Sequence, residues 1–254
     1  MKRIQILLFF IILHHALQAK VKPLGHFNFG KVGNVTYAIG PEKVKSRQGN
    51  FTLTRIDRPL FYADAPAEKA QQGEGAILFN GKTDGYSMSS GIGVATENFV
   101  FEVWVKAKEI DSQSGEMNIV ALNGTTKEGY GFAQRGKSWV FISADKGTTS
   151  IGNAVKGQWI HLAATLRNGV GELWMNGKKT GSFNATKTIA PHFSIAISNE
   201  GKQAFMGEVY EVRWSTFEKQ GFDEESDFLI NYKKKKERDR SRDLSRLTLM
   251  KNFQ

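Results

Sequence analysis

The sequence of 254 residues contains no cysteine, so disulfide bonds are excluded and the fold must be stabilised by its buried core. Zinc sites are disfavoured, because the three histidines beyond residue 19, His26, His161 and His192, lie far apart in sequence. Long hydrophobic runs are missing, since the apolar run from Ile4 to Leu13 has about ten residues and a membrane-spanning helix needs roughly 20. Helical periodicity is missing between Leu24 and Trp214. These absences indicate a β-rich chain with no membrane span.

The N-terminus has the composition of a secretory signal peptide. Lys2 and Arg3 precede the apolar run, and Ala19 places a small residue at the cleavage point. This pattern predicts a signal peptide over residues 1–19, cleaved near Ala19, and therefore a secreted, periplasmic or cell-surface protein. An uncleaved signal anchor is the alternative.

The positive charge of the chain is concentrated at its C-terminal end. The formal net charge is +10, and residues 233–254 contain nine basic and three acidic side chains. The run from Lys233 to Arg242 is either a solvated charged segment or a contact for an anionic surface. Nucleic acid is a disfavoured partner, because no aromatic side chains interleave the run as they do in single-strand binders.

The chain between residues 20 and 222 is predicted to be one all-β domain. In residues 99–106 one face of the alternating pattern is entirely apolar and the other includes charged side chains, which indicates a half-buried strand. Asn168-Gly169 and Asn176-Gly177 separate short apolar runs and favour two-residue hairpin turns. Further strands are predicted at 77–80, 86–89, 117–122, 129–134, 139–143, 193–197 and 205–214. After Asp223, which is a suitable N-cap, residues 223–254 are predicted to form a short helix or a disordered basic tail.

Three segments resemble the laminin-G-like (LamG) jelly rolls of the concanavalin A-like lectin/glucanase superfamily. They are residues 76–86 leading to 99–106, residues 157–164 followed by 173–178, and residues 205–214. The resemblance implies a jelly-roll β-sandwich of two antiparallel sheets. Tyr210 departs from the pattern, because this position in the family is usually aspartate.

Glucanases of this superfamily use a pair of carboxylates on one strand. Alternation along a strand places Glu208 and Glu211, which are three residues apart, on opposite faces, and Tyr210 removes the carboxylate next to them. The sequence therefore predicts a non-catalytic binding module. Residues 131–138 fit the P-loop expression, but a strand follows Ser138 where a helix is required, so a hairpin turn is predicted there.

The resemblance implies a ligand such as a polysaccharide, or a glycan or protein of the cell surface. The candidate binding residues lie at or near strand ends and turns: Tyr86, Tyr130, Arg135 and Trp139. Calcium is an optional cofactor, with Asn80 and Asp84 as its candidate ligands, and a plain turn built on the same side chains is the alternative. Trp104, Trp159, Trp174 and Trp214 are predicted to pack. A glycoside-active enzyme and a structural or adhesion protein remain the alternative functions.

Overall fold

In the computed structural model, the structure describes residues 22–29, 37–47, 50–62, 64–66, 74–92, 98–110, 117–125, 127–185, 192–198, 200–201, 203–217 and 222–231. The predicted signal peptide, residues 1–19, and the basic run from Lys233 to Arg242 lie outside these residues. Among the described residues, no helix is both long and apolar enough to cross a membrane.

The described residues form seventeen strands: β1 (Lys22–Asn28), β2 (Tyr37–Ile39), β3 (Lys43–Lys45), β4 (Thr52–Ile56), β5 (Leu60–Tyr62), β6 (Ala76–Asn80), β7 (Gly85–Met88), β8 (Asn98–Ala107), β9 (Met117–Gly124), β10 (Gly129–Arg135), β11 (Ser138–Ser143), β12 (Gly147–Asn153), β13 (Trp159–Arg167), β14 (Val170–Met175), β15 (Lys178–Phe183), β16 (Phe193–Ile195) and β17 (Met206–Thr216). Short 3₁₀ turns occur at Ala144–Lys146 and Leu229–Asn231.

Two antiparallel sheets make up the sandwich. Sheet 1 has the order β15-β14-β13-β8-β17-β6-β5-β2, with β1 also paired to β17. Sheet 2 has the order β12-β11-β10-β9-β16-β7-β4-β3. The predicted all-β sandwich of two antiparallel sheets is therefore confirmed, and both Asn-Gly pairs form turns with positive φ at each residue, as the hairpin type requires.

Alternation along the central strands fills the space between the sheets with aromatic side chains. On β8, Phe99 and Phe101 point inward, and both rings lie 4.7 Å from the ring of Trp214 on β17. Tyr130 and Phe132 of β10 contact them from sheet 2. Glu102, Trp104 and Lys106 of β8 point to the outer face of sheet 1, as the period of two requires.

A β-bulge in β17 changes which side chains share a face. Glu208 lies opposite Lys106, whereas Glu211 lies opposite Trp104, and the register shifts between Val209 and Glu211. Lys106 and Trp104 are two residues apart on β8, so Glu208 and Glu211 are on the same outer face. The prediction that they point to opposite sides is wrong, because Tyr210 is an extra residue that the alternation did not reveal.

The C-terminal segment, residues 222–231, packs against the outer face of sheet 1. Its short helix α1 (Glu224–Asp227) begins after Asp223, whose side chain accepts a hydrogen bond from the backbone N–H of Glu225 at 3.1 Å, which confirms the predicted N-cap. Phe222 and Phe228 join a small cluster with Val100 and Ala163 of sheet 1 and with Phe217, which follows β17.

Candidate functional site

Three of the four predicted binding residues belong to the core. Tyr86 and Trp139 have no accessible surface and Tyr130 has 1%. The Tyr86 hydroxyl donates a hydrogen bond to the carbonyl of Pro41 at 2.9 Å, and burial raises the pKa of Tyr86. A side chain without accessible surface cannot contact a ligand in this conformation. The structure therefore replaces the predicted binding role of these three rings with a packing role.

Arg135, the fourth candidate, is exposed at the turn between β10 and β11. Arg135 pairs with Ser138 across this hairpin, and the chain continues directly into strand β11. The predicted turn is confirmed, and the P-loop expression has no helix behind it. Arg135 is thus the one predicted binding residue whose side chain reaches solvent.

The turn at residues 80–84 contains the two candidate calcium ligands. The Asn80 Oδ1 atom accepts hydrogen bonds from the backbone N–H groups of Lys82, Thr83 and Asp84 at 2.8, 3.1 and 3.2 Å. The Asp84 carboxylate accepts from the N–H groups of Asn80 and Arg58 at 3.1 and 3.2 Å. Burial raises the pKa of Asp84, although these two hydrogen bonds oppose the shift.

These contacts do not fit a calcium site. Calcium takes six to eight oxygen ligands, but the oxygens of Asn80 and Asp84 are already used by backbone donors. Within the described ranges, no group of three or more His, Asp or Glu side chains could hold a metal ion. The geometry fits the alternative interpretation, a plain turn fixed by Asx side chains.

Three connections meet at one end of the sandwich, next to Arg135. The Gln134 Nε2 atom donates to the carbonyls of Glu109 and Gly136 at 2.9 and 3.0 Å. The Ala154 N–H donates to the carbonyl of Lys137 at 2.7 Å, and the Gly157 N–H donates to that of Ala107 at 2.8 Å. Backbone groups therefore hold the segment after β8, the β10–β11 turn and the β12–β13 connection together.

We call the exposed charged side chains of these three connections the basic rim: Lys108, Glu109, Arg135, Lys137 and Lys156. Four are basic and one is acidic, so the basic rim has a net charge of +3. Between described residues, the one ion pair of the rim joins Lys156 and Glu109 at 3.5 Å, and both side chains are more than half exposed. The turn at residues 80–84 lies at the same end of the sandwich, but three strand spacings, or roughly 14 Å, separate β7 from β10.

The outer face of sheet 1 has a different character, because its carboxylates are paired. Glu102 has no accessible surface and accepts hydrogen bonds from Arg213 Nε at 2.6 Å, His161 Nε2 at 2.8 Å and the Leu229 N–H at 2.8 Å. Burial alone would raise the pKa of Glu102, but Arg213 and His161 lower it below the usual range. Glu211 contacts the Nε2 atom of His26 at 2.6 Å.

Lys106 bridges two carboxylates on the same face. Its ammonium group pairs with Asp64 and, at 2.7 Å, with Glu208, and it lies 5.2 Å from the ring centroid of Trp159. Burial would raise the pKa of Asp64, but the hydrogen bonds from Lys106 and Trp159 lower it. A general acid in glycoside hydrolysis needs a raised pKa, so Asp64 and Glu102 have the opposite property.

Sequence reasoning found Arg135 but missed the other basic side chains of the rim. Lys108, Lys137 and Lys156 are separated along the chain, and only the pairing of the strands brings their connections together. The Gly136-Lys137 turn carried a local signal for a hairpin. No local sequence signal showed that the three connections lie close together, because their proximity depends on long-range strand order.

A family model described as the concanavalin A-like lectin/glucanases superfamily (Laminin_G_3) matches residues 80–218. The receptor-binding domain of botulinum neurotoxin type G is similar in structure, with a TM-score of 0.56 and 12% identity over 85% of this chain and 51% of that one. Trypanosoma rangeli sialidase in complex with 2,3-difluorosialic acid gives a TM-score of 0.55 and 12% identity, and covers 82% of this chain and 33% of the sialidase. Domain 4 of a GH43 extracellular arabinanase from Geobacillus stearothermophilus, in complex with arabinotriose, gives a TM-score of 0.49 and 16% identity. This match covers 78% of this chain and 93% of the arabinanase domain.

No curated protein matches the chain in sequence. The chain spans about half of the neurotoxin domain and a third of the sialidase. At these identities the likeness concerns the fold of the sandwich.

Proposed function

Because the chain belongs to the concanavalin A-like lectin/glucanase superfamily, we propose that it is an exported, non-catalytic module that binds carbohydrate. The observation that carries this proposal is the end of the sandwich where three connections, fixed by backbone hydrogen bonds, present the exposed side chain of Arg135. A rigid scaffold with polar side chains on its loops is a common design for binding. The sialidase, a third of which is similar in fold, was determined in complex with a sialic acid derivative, and a saccharide ligand for this chain would agree with that.

The paired carboxylates support a role without catalysis. Glu102 is bound by Arg213 and His161, Glu208 by Lys106, and Glu211 by His26. Arg213 and Lys106 are cations that favour the ionised form of their carboxylate partners, whereas general acid catalysis needs a carboxyl that keeps its proton.

Glycoside hydrolysis is the second candidate function, and the bulge in β17 is the observation that favours it. Glu208 and Glu211 share the outer face of sheet 1, so alternation along the strand no longer separates them. Lys106 and His26 must release these carboxylates before either could act on a sugar.

Binding of the purified full chain to a glycan array, in calcium and in chelator, tests the proposal. We expect selective binding to a subset of glycans that is equal in both conditions, because Asn80 and Asp84 are engaged within their turn. No glycan signal in either condition would remove the carbohydrate-binding function. Release of reducing ends from polysaccharides that bind would replace it with the enzymatic candidate.

A further inference from the structure

We propose that the basic rim binds acidic saccharide units, which carry sulfate or carboxylate groups. This inference rests on the proposed carbohydrate-binding function and specifies its ligand class and its site. It depends on three observations: the fixed positions of the three connections, the lack of an ion pair at Lys108, Arg135 and Lys137 within the described ranges, and the geometry of Arg135.

The positions of the rim side chains are set by backbone contacts. Lys137 contributes the carbonyl that accepts from Ala154, and the carbonyls of Glu109 and Gly136 share the Gln134 amide. Lys108 donates its own N–H to the carbonyl of Met206 at 3.1 Å. A ligand therefore meets cations on connections that are already ordered, which reduces the entropy lost on binding.

The cations of the rim differ from three cations that pack on sheet 1. Arg213, Lys106 and Arg167 each contact at least one carboxylate. Among the residues that the structure describes, Lys108, Arg135 and Lys137 form no ion pair, and the contact of Lys156 with Glu109 is exposed and weak. Clustered cations without counter-charges repel one another, and an anionic ligand relieves this repulsion.

Arg135 adds geometric selectivity to the charge. Its planar guanidinium can donate two parallel hydrogen bonds to a carboxylate or sulfate, whereas the lysines act as point charges. Strands β10, β11 and β12 are neighbours, so the rim at their ends spans about 10 Å. This width fits several charged groups along a polysaccharide better than one isolated anion.

The test compares dextran, dextran sulfate and polygalacturonate as probes for the full chain by isothermal titration calorimetry. We expect dextran sulfate and polygalacturonate to bind and unmodified dextran to bind at least about tenfold more weakly. Raising the salt concentration should weaken binding of the two acidic polymers, because exposed charges are screened. Equal binding of dextran would overturn the inference.

A matched pair of double variants locates the site. R135E/K137E reverses two charges on the rim, and K43E/K45E makes the same change on β3, at the opposite edge of sheet 2, where both lysines are exposed. We expect R135E/K137E to weaken binding of dextran sulfate by at least about tenfold and K43E/K45E by less than about threefold. Equal losses in the two variants would show a general charge effect and contradict a site at the rim. Thermal unfolding of both variants checks that each is folded.

Two further outcomes separate this inference from the proposed function. If neutral glycans bind on the array but dextran sulfate and polygalacturonate bind no better than dextran, the rim inference fails and carbohydrate binding stands. If a DNA duplex competes with dextran sulfate at equal charge concentration, the rim recognises polyanions in general and the saccharide inference fails. Absence of binding to every saccharide removes both proposals.

Discussion

At the scale of single residues, Glu102 joins the sheet to the C-terminal segment. It has no accessible surface, and Arg213, His161 and the backbone N–H of Leu229 all donate to it. Arg213 in turn donates to the carbonyl of Asp227 at 2.5 Å. A buried carboxylate with three donors is stable only while it is ionised, so its protonation is coupled to folding.

Glu102 should therefore contribute to the pH dependence of stability. Its pKa is lowered in the folded protein, so its contribution is present above the ordinary glutamate value of about 4.3 and is lost as the pH falls below that value. Glu102→Gln should lower the free energy of unfolding near pH 7 by about 3–5 kcal/mol, because Arg213 loses its carboxylate partner. Urea unfolding at a series of pH values measures both effects.

The slope of stability against pH provides the control. Below about pH 5 the Glu102→Gln variant should lose stability less steeply than the wild type, because it has no carboxyl to protonate at this position. Some slope should persist, since the pKa of Asp64 is also lowered. An unchanged slope would contradict the role assigned to Glu102.

The burial of the predicted aromatic binding residues also depends on the position of each residue along its strand. Tyr130 is two residues from Phe132, and Trp139 is two residues from Phe141, so alternation places each pair on one face. That signal for the core was present in the sequence. Their position near strand ends pointed instead to binding, because the distance to a turn does not show which face of a strand is buried.

At the scale of elements, the bulge in β17 decides what the outer face of sheet 1 contains. Tyr210 is the extra residue, and its side chain is buried against Ala65 and Ala76. Among the residues that the structure describes, its hydroxyl has no hydrogen-bond partner. The insertion lets Glu208 face Lys106 while Glu211 faces Trp104.

Deleting Tyr210 should therefore be far more damaging than changing its side chain. Deletion shifts residues 206–209 by one position, which turns Glu208 toward the core and Val209 outward, and we expect a loss of more than about 4 kcal/mol or failure to fold. Tyr210→Phe keeps the bulge and removes an unpaired buried hydroxyl, so stability should be equal or higher by about 1 kcal/mol. Urea unfolding compares the two, and a deletion variant as stable as the wild type would contradict this account.

The strands that sequence reasoning located are those with a strong alternation or apolar run. The segments predicted at 77–80, 129–134 and 139–143 lie within β6, β10 and β11. The short strands β2 to β5 and the polar strand β12 were not predicted. Strands of three to seven residues carry too little periodicity, and β2 and β4 also depend on pairing with β5 and β7, which are not their neighbours in sequence.

At the scale of the whole molecule, the described chain is a two-sheet sandwich with part of a third layer. Residues 222–231 cover one region of sheet 1, where Phe228 packs 5.4 Å from Trp174 and 5.7 Å from His161. Arg167 donates hydrogen bonds to the carbonyl of Phe222 at 2.9 Å and to the carboxylate of Glu224 at 2.7 Å, at the start of the segment. The segment therefore packs on apolar side chains of the outer face of sheet 1 and supplies hydrogen-bond partners to its polar side chains.

Two truncations test whether this layer is part of the cooperative fold. Removing residues 222–254 should lower the free energy of unfolding by at least about 3 kcal/mol, because Phe222, Phe228 and Leu229 lose their burial and Glu102 loses a donor. Removing residues 232–254 alone leaves these contacts in place and should change stability by less than about 1 kcal/mol. Urea unfolding followed by tryptophan fluorescence reports both, since Trp174 loses its contact with Phe228 in the longer truncation only. Equal unfolding midpoints for the two truncations would mean that the sandwich is complete without its C-terminal layer.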